Sequence, residues 1–412
     1  DTLSNMIIKN DKSRKKSMQI IHIYELISVV LIEGFASILE YANNIYDKKD
    51  KVDCADYHLF YDKVVQFIYQ FNNLIPHVNK LFSKISLNYS QFIFGASEDC
   101  LGVGEANFLC GPVSPEDLVQ IPESSWVVAS GMEDDGYLYF IDTQQQRSTA
   151  VYPSMRSEHR MDTAKFDNCP GPQIEGFRPH GLSLVAGNNG VHTLLVVRHG
   201  SREAIEVFEI TEAPSDSPKL TWIGCVLAPT GVAFNSVVGT PEGGLAATHF
   251  QLPTGYVYEW SGGSDWSQVP GSETEGPNGI EISDDGKWLY IAGWGSQSLI
   301  KLSRGQSEVT RSSVKVSHHI DNLRWSIDGS LLAAGHIGAL PSSIFGCLNE
   351  GECVGVSTRV TRVDINNLTA RQIIDYPSNR SFLLGTVAIE VEDEIWVGGI
   401  GGANRIARFE YR

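Results

Sequence analysis

Two hydrophobic periods divide this chain. Over residues 18–46, Ile20, Ile21, Ile23, Leu26, Ile27, Val30, Leu31, Ile38 and Leu39 recur at helical spacing among His22, Glu25, Ser28, Glu33, Ser37 and Glu40. Residues 57–73 repeat the pattern with Phe60, Val64, Val65, Phe67, Ile68 and Phe71, and after Pro76 the stretch 77–85 is read as a third helix. From about residue 110 the period shortens. Runs rich in Val, Ile, Leu, Tyr and Trp alternate with Gly- and Asp-containing turns such as 284–286 and 328–329, which is the signature of strands joined by hairpins. No stretch beyond residue 94 keeps helical spacing for more than a few positions, so no helix is expected there.

The strand-rich part repeats a unit. Starts are found at Pro115 (PEDLVQIP), Pro179 (PHGLSLV), Gly231 (GVAFNSVVG), Pro277 (PNGIEIS), His319 (HIDNLRWS) and Gly385 (GTVAIEV). Six units of roughly 50 residues each match the length of four-stranded propeller blades. The expectation is a mainly β fold: a six-bladed β-propeller over 94–412, preceded by a small α-helical N-terminal region over 1–93. A β-sandwich is the competing architecture, and six units with one internal order count against it.

Composition sharpens the boundary. Residues 1–93 hold one glycine, Gly34, and no tryptophan, while the other 38 glycines and all 8 tryptophans follow. The formal charge of −17 falls in the second part, since the first carries 11 basic and 10 acidic residues. Such acidity excludes a nucleic-acid partner of the usual basic kind and suits a cation site. Lys12, Arg14, Lys15 and Lys16 precede the apolar run 18–46 as in a signal-anchor. Glu25 and Glu33 inside it would each cost roughly 2.5–3.5 kcal/mol at bilayer depth. A helical bundle and a membrane- or lipid-associated helix therefore both stay open for this stretch. Cys347 and Cys353 enclose a short loop that suits a local disulfide, which implies an oxidising, extracytoplasmic or secreted setting; buried free thiols are the alternative. Triplets at Asn88, Asn367 and Asn379 permit glycosylation.

The unit starts share a polar phase: Glu116 and Asp117, His180, Asn235, Asn278, then Asp321 and Asn322. Innermost strands of a propeller begin around one axis, so these side chains converge on a channel. Asn and Asp also form turns, and one such residue alone would be read that way. Five at one phase suggest an oxygen cage, which calcium favours; His and Cys, which zinc favours, are not part of it.

These stretches, with FRPHG, FNSVVGTPEG and GPNGI the most specific, resemble the paraoxonase/arylesterase family and, more distantly, gluconolactonase-type lactonases. The resemblance spans nearly all of 110–412 and omits 1–93. It implies a catalytic calcium held by Glu116, Asn235, Asn278, Asp321 and Asn322. It implies a water-activating pair in His180 and His199, with His336 lining the pocket. A second, structural calcium would use Asp117, but Ser236 stands where the family has an aspartate, which leaves that ion open. The family's disulfide to the last strand is excluded, because ARFEYR has no cysteine; Cys100 or Cys110 must pair elsewhere or stay free. The implied activity is calcium-dependent hydrolysis of a small-molecule lactone or aryl ester. A sugar-lactone or organophosphate hydrolase on the same site is one alternative, and a non-catalytic ligand- or protein-binding propeller is another.

Overall fold

A computed structural model describes residues 100–412, except 213–216, 264, 351–352, 401–403 and 412. The helices expected over 18–46, 57–73 and 77–85 lie outside the described residues, as does the possible lipid-associating run. Among the described residues no helix is long and apolar enough to cross a membrane.

Each repeat unit becomes one antiparallel sheet, and its first strand is innermost. Blade one comprises β2 (Pro115–Gln120), β3 (Trp126–Gly131), β4 (Leu138–Asp142) and β5 (Arg147–Tyr152). Blade two has β7 (Phe177–Val185), β8 (Val191–Gly200), β9 (Ala204–Thr211) and β10 (Lys219–Leu227), with the two-residue β6 (Glu158–His159) added in parallel at its outer edge. Blade three runs from β11 (Val237–Gly239) through β12 (Leu245–His249) and β13 (Tyr256–Trp260) to β14 (Trp266–Gln268). Blade four is β15 (Pro277–Ile282), β16 (Trp288–Gly293), β17 (Ser298–Ser303) and β18 (Arg311–Lys315). Blade five is β19 (His319–Trp325), β20 (Leu331–Ile337), β21 (Ser357–Asp364) and β22 (Thr369–Pro377).

Blade six closes the ring. It combines β23 (Leu384–Val391), β24 (Glu394–Ile400) and β25 (Arg405–Glu410) with β1 (Ala106–Cys110) from the other end of the domain, in register from Ala106–Phe409 to Cys110–Arg405. The inner strands follow one another around the axis: β2, β7, β11, β15, β19, β23 and back to β2. Closure rests on strand pairing, and Cys110 bonds Cys100 instead of the last strand. Two further disulfides join Cys169 to Cys225 and Cys347 to Cys353. The latter is the local bridge expected from the short loop.

Apolar side chains between adjacent blades form the core. Clusters such as Leu118, Val127, Ile141, Val387 and Trp396 bridge blades one and six. One expectation fails. Pro341–Glu350 forms a helix, α1, between β20 and β21. Pro341 suits a first helical turn, where its missing N–H costs nothing. Ile344 and Cys347, three residues apart, are buried on one face, and the Cys347–Cys353 bond fixes the exit. Its apolar stripe is too short to register as a period against the Ser and Gly around it.

Candidate functional site

Inner strands place the polar ring by a shared irregularity. The pairing register shifts between Pro115 and Asp117, Pro179 and Leu182, Pro277 and Ile280, Ile320 and Leu323, and Gly385 and Val387. Each shift spans the polar position of its unit: Glu116, His180, Asn278, Asp321 with Asn322, and Thr386. A bulge leaves a residue outside the ladder and re-aims its side chain, here toward the axis. In blade three the ring position precedes β11. There the Asn235 N–H donates to Thr248 O at 2.8 Å, and the Thr248 N–H donates to Ser236 O at 3.0 Å. Close approach needs glycine: a Cβ on Gly181 would lie 2.5 Å from Asn235 O, and one on Gly279 would lie 2.7 Å from the Asn322 Cα.

Glu116, Asp321, Asn278 and Asn322 come together, all buried. The Asn322 amide nitrogen donates to Glu116 Oε1 at 2.6 Å, and Asn278 hydrogen-bonds Asp321. The Asn322 amide thus gives an N–H to a carboxylate, and Asn278 favours the charged form of Asp321. Glu116 Oε2, Asn235 Oδ1, Asn278 Oδ1 and Asn322 Oδ1 are left buried without a hydrogen-bond partner. Burial, followed by Asp117 and Asp321, pushes the Glu116 carboxyl well above its usual range. Burial raises Asp321 to about 7. Two buried acids and several orphaned oxygens are a costly arrangement unless a cation joins them. Their all-oxygen chemistry fits calcium.

His180 and His199 meet, with Nδ1 of the first 2.9 Å from Nε2 of the second. His199 Nδ1 lies 2.6 Å from Glu203 Oε2. An ionised carboxylate only accepts, so His199 Nδ1 carries the proton. A His180 ring protonated on Nδ1 donates to His199 Nε2, and its own Nε2 then keeps its lone pair. That nitrogen is 3.7 Å from Glu116 Oε1. Burial, then His199 and Arg178, hold the His180 pKa well below 6.5. The left-handed Gly200 (φ 95°) turns the chain back so that Glu203 reaches His199.

His336 is beside Asp321, with Nδ1 3.8 Å from Oδ2, but both its nitrogens are committed. Nδ1 donates to Gly385 O at 3.3 Å, and Nε2 accepts from the Trp294 indole N–H at 3.2 Å. Burial lowers it to about 4, so it stays neutral. Trp294 belongs to an apolar cluster drawn from five blades, including Met132, Phe250, Ile344 and Leu384. Asp117 turns away from the ring. Its carboxylate accepts from the backbone N–H of Leu118 and Leu182 and from Arg324. That does not fit a second cation.

Sequence reasoning passed over Glu203, Arg324, Trp294 and two threonines. Thr386 Oγ1 donates to Glu116 O at 2.6 Å, and Thr248 Oγ1 donates to Asn278 O, so each fixes the backbone of a ring residue. Thr386 was available as the polar residue of the sixth unit at the shared phase. Glu203 and Trp294 lie outside that phase and gave no comparable signal.

The sequence profile described as SMP-30/Gluconolactonase/LRE-like region matches residues 129–354, more than half of the chain. Serum paraoxonase/arylesterase 1 of Homo sapiens is 27% identical over 201 residues, covering 43% of this chain and 52% of that protein. The Mus musculus protein of the same description is 32% identical over 133 residues, 29% and 37% of the two chains. The chain thus spans about half, or less, of the length of the curated relatives it matches. Among solved structures, a gluconolactonase from Xanthomonas campestris is 14% identical with a TM-score of 0.47, covering 78% of this chain and 94% of that one. A calcium-binding protein, regucalcin, from Agrobacterium tumefaciens is 13% identical with a TM-score of 0.43, covering 75% and 94%.

Proposed function

This chain belongs to the SMP-30/gluconolactonase/LRE-like family, and we propose on that premise that it is a calcium-dependent hydrolase of lactones or aryl esters. The single observation that carries the reading is the set of four buried, unpartnered oxygens on Glu116, Asn235, Asn278 and Asn322. With the Asp321 carboxylate they supply the oxygen donors that calcium takes. Bound there, calcium supplies a Lewis acid that polarises a substrate carbonyl and offsets the charge developing on its oxygen.

The chain's own groups do the rest. His180 Nε2, with its lone pair directed at the ring, accepts the proton of the attacking water. His199 fixes the tautomer of His180, and Glu203 fixes that of His199. Asn278 and Asn322 hold the carboxylates of Asp321 and Glu116 in place. The cluster around Trp294 and Phe250 offers an apolar wall one histidine removed from Asp321. That wall favours a substrate with an apolar acyl or aryl part over a free sugar lactone, and the relatives described as paraoxonase/arylesterase support ester chemistry. The three disulfides support an oxidising, extracytoplasmic location.

The deciding experiment measures hydrolysis of a panel of lactones, aryl esters and organophosphates before and after EGTA, with calcium binding followed in parallel. Turnover that EGTA abolishes and calcium restores is expected. Tight calcium binding without turnover of any substrate would instead favour a non-catalytic binding propeller.

A further inference from the structure

Beneath the ring, the axis is held by an arginine. Arg324 is on β19, two residues past Asn322, and is buried. Its Nε donates to Leu118 O at 2.9 Å, Nη1 to Leu323 O at 2.7 Å and to Glu281 Oε1 at 3.2 Å, and Nη2 to Leu182 O at 2.9 Å and to Asp117 Oδ2. A guanidinium has five N–H bonds, and here five acceptors meet them. Those acceptors are three main-chain carbonyls and two carboxylates, drawn from blades one, two, four and five. Several oxygens gathered from separate segments around one buried positive charge is the pattern in which proteins bind calcium.

We infer that Arg324 takes the place of the second, structural cation, so that this junction is held by a built-in charge and the protein carries a single exchangeable ion. Charge supports the substitution. The resemblance surrounds the second ion with Asp117 and a further aspartate, whereas this chain has Ser236 there. The carboxylates facing the guanidinium are Asp117 and Glu281, and no acid stands at position 236 to call for a divalent ion. Geometry agrees. Asp117 Oδ2, which a cation would need, is shared by Arg324 and the Leu182 N–H, the latter at 2.6 Å. The Ser236 hydroxyl is buried without a partner, and its main chain packs against Gly181, next to Leu182. Arginine suits the role because its fork stays charged when buried and satisfies several acceptors at once.

The inference concerns only an ion beyond the first, so it is separable from the hydrolase reading. The whole chain is dialysed at micromolar free calcium, and bound calcium is counted by atomic emission. At most one ion per chain is expected in the wild type, and two tightly held ions would overturn the inference. In Arg324→Ala combined with Ser236→Asp, one ion more than the wild type is expected. Calcium should also raise the melting temperature of that variant further than it raises the wild type's. A folded double variant with the wild-type count overturns the inference. If the double variant does not fold, the wild-type count decides. A wild type that binds no ion counts against the calcium-dependent reading and not against Arg324.

Discussion

Glu203 fixes which nitrogen of His180 is free, yet it stands outside the repeat that revealed the rest of the site. Asn235, Asn278, Asp321 and Asn322 were legible because six units display them at one phase. Glu203 was not, because it acts from a loop four residues past His199, where an acid reads as surface. Glu203→Gln removes the charge that orients His199. It should lower kcat on a lactone by about tenfold to a hundredfold with little change in KM. An unchanged kcat would remove the carboxylate from the relay. Glu116→Gln and Asn278→Ala should each abolish calcium binding in titration calorimetry, together with turnover. Retention of both by either variant would place the ion elsewhere.

His318 makes a separate prediction. It is buried, its Nε2–H donates to Ala333 O at 3.2 Å, and burial lowers its pKa from 6.5 to about 3. Below pH 6.5 the unfolded chain takes up a proton that the folded imidazole refuses. The histidine's contribution is therefore whole above 6.5 and declines as pH falls toward 3, by about 1.4 kcal/mol per pH unit. The stability of the wild type relative to His318→Gln should shrink by about 2 kcal/mol between pH 7 and pH 5 in urea unfolding. A gap that does not vary with pH would contradict this.

At the scale of elements, strand order and inner-strand starts were legible because turn residues and alternation agree. The bulges were not, since inner strands such as β2, β15 and β19 are buried on both faces and offer no alternation for a one-residue shift to break. Helix α1 escaped because Ile344 and Cys347, the buried positions among its described side chains, are too few to show a period. The disulfides differ in reach. Cys169–Cys225 spans 56 residues, and Cys347–Cys353 spans 6. On the loop-entropy account the long bridge contributes about 4 kcal/mol and the short one about 2 kcal/mol. Paired Cys→Ala variants, compared by calorimetry, should lower the melting temperature in that order. The reverse order would show that α1 depends on its clasp more than blade two depends on its own.

At the scale of the molecule, six sheets act as one because β1 and β25 join the ends. Phe108 lies on that joint, stacked 6.5 Å from Phe382 and under the Arg405 guanidinium. Phe108→Ala should cost about 3–5 kcal/mol and shift a single calorimetric transition. A separate early transition would mean that blade six melts alone. The closing joint also has a consequence in time. Ala106 pairs with Phe409, about 300 residues later. At roughly 5–20 residues per second, synthesis of the stretch between them takes about 15–60 s. Until then β1 waits without its partner, and Glu116 lacks the support of Thr386. A chain released before Thr386 is made lacks the hydrogen bond that fixes the Glu116 carbonyl, so the proposed calcium cage would start life short of one support.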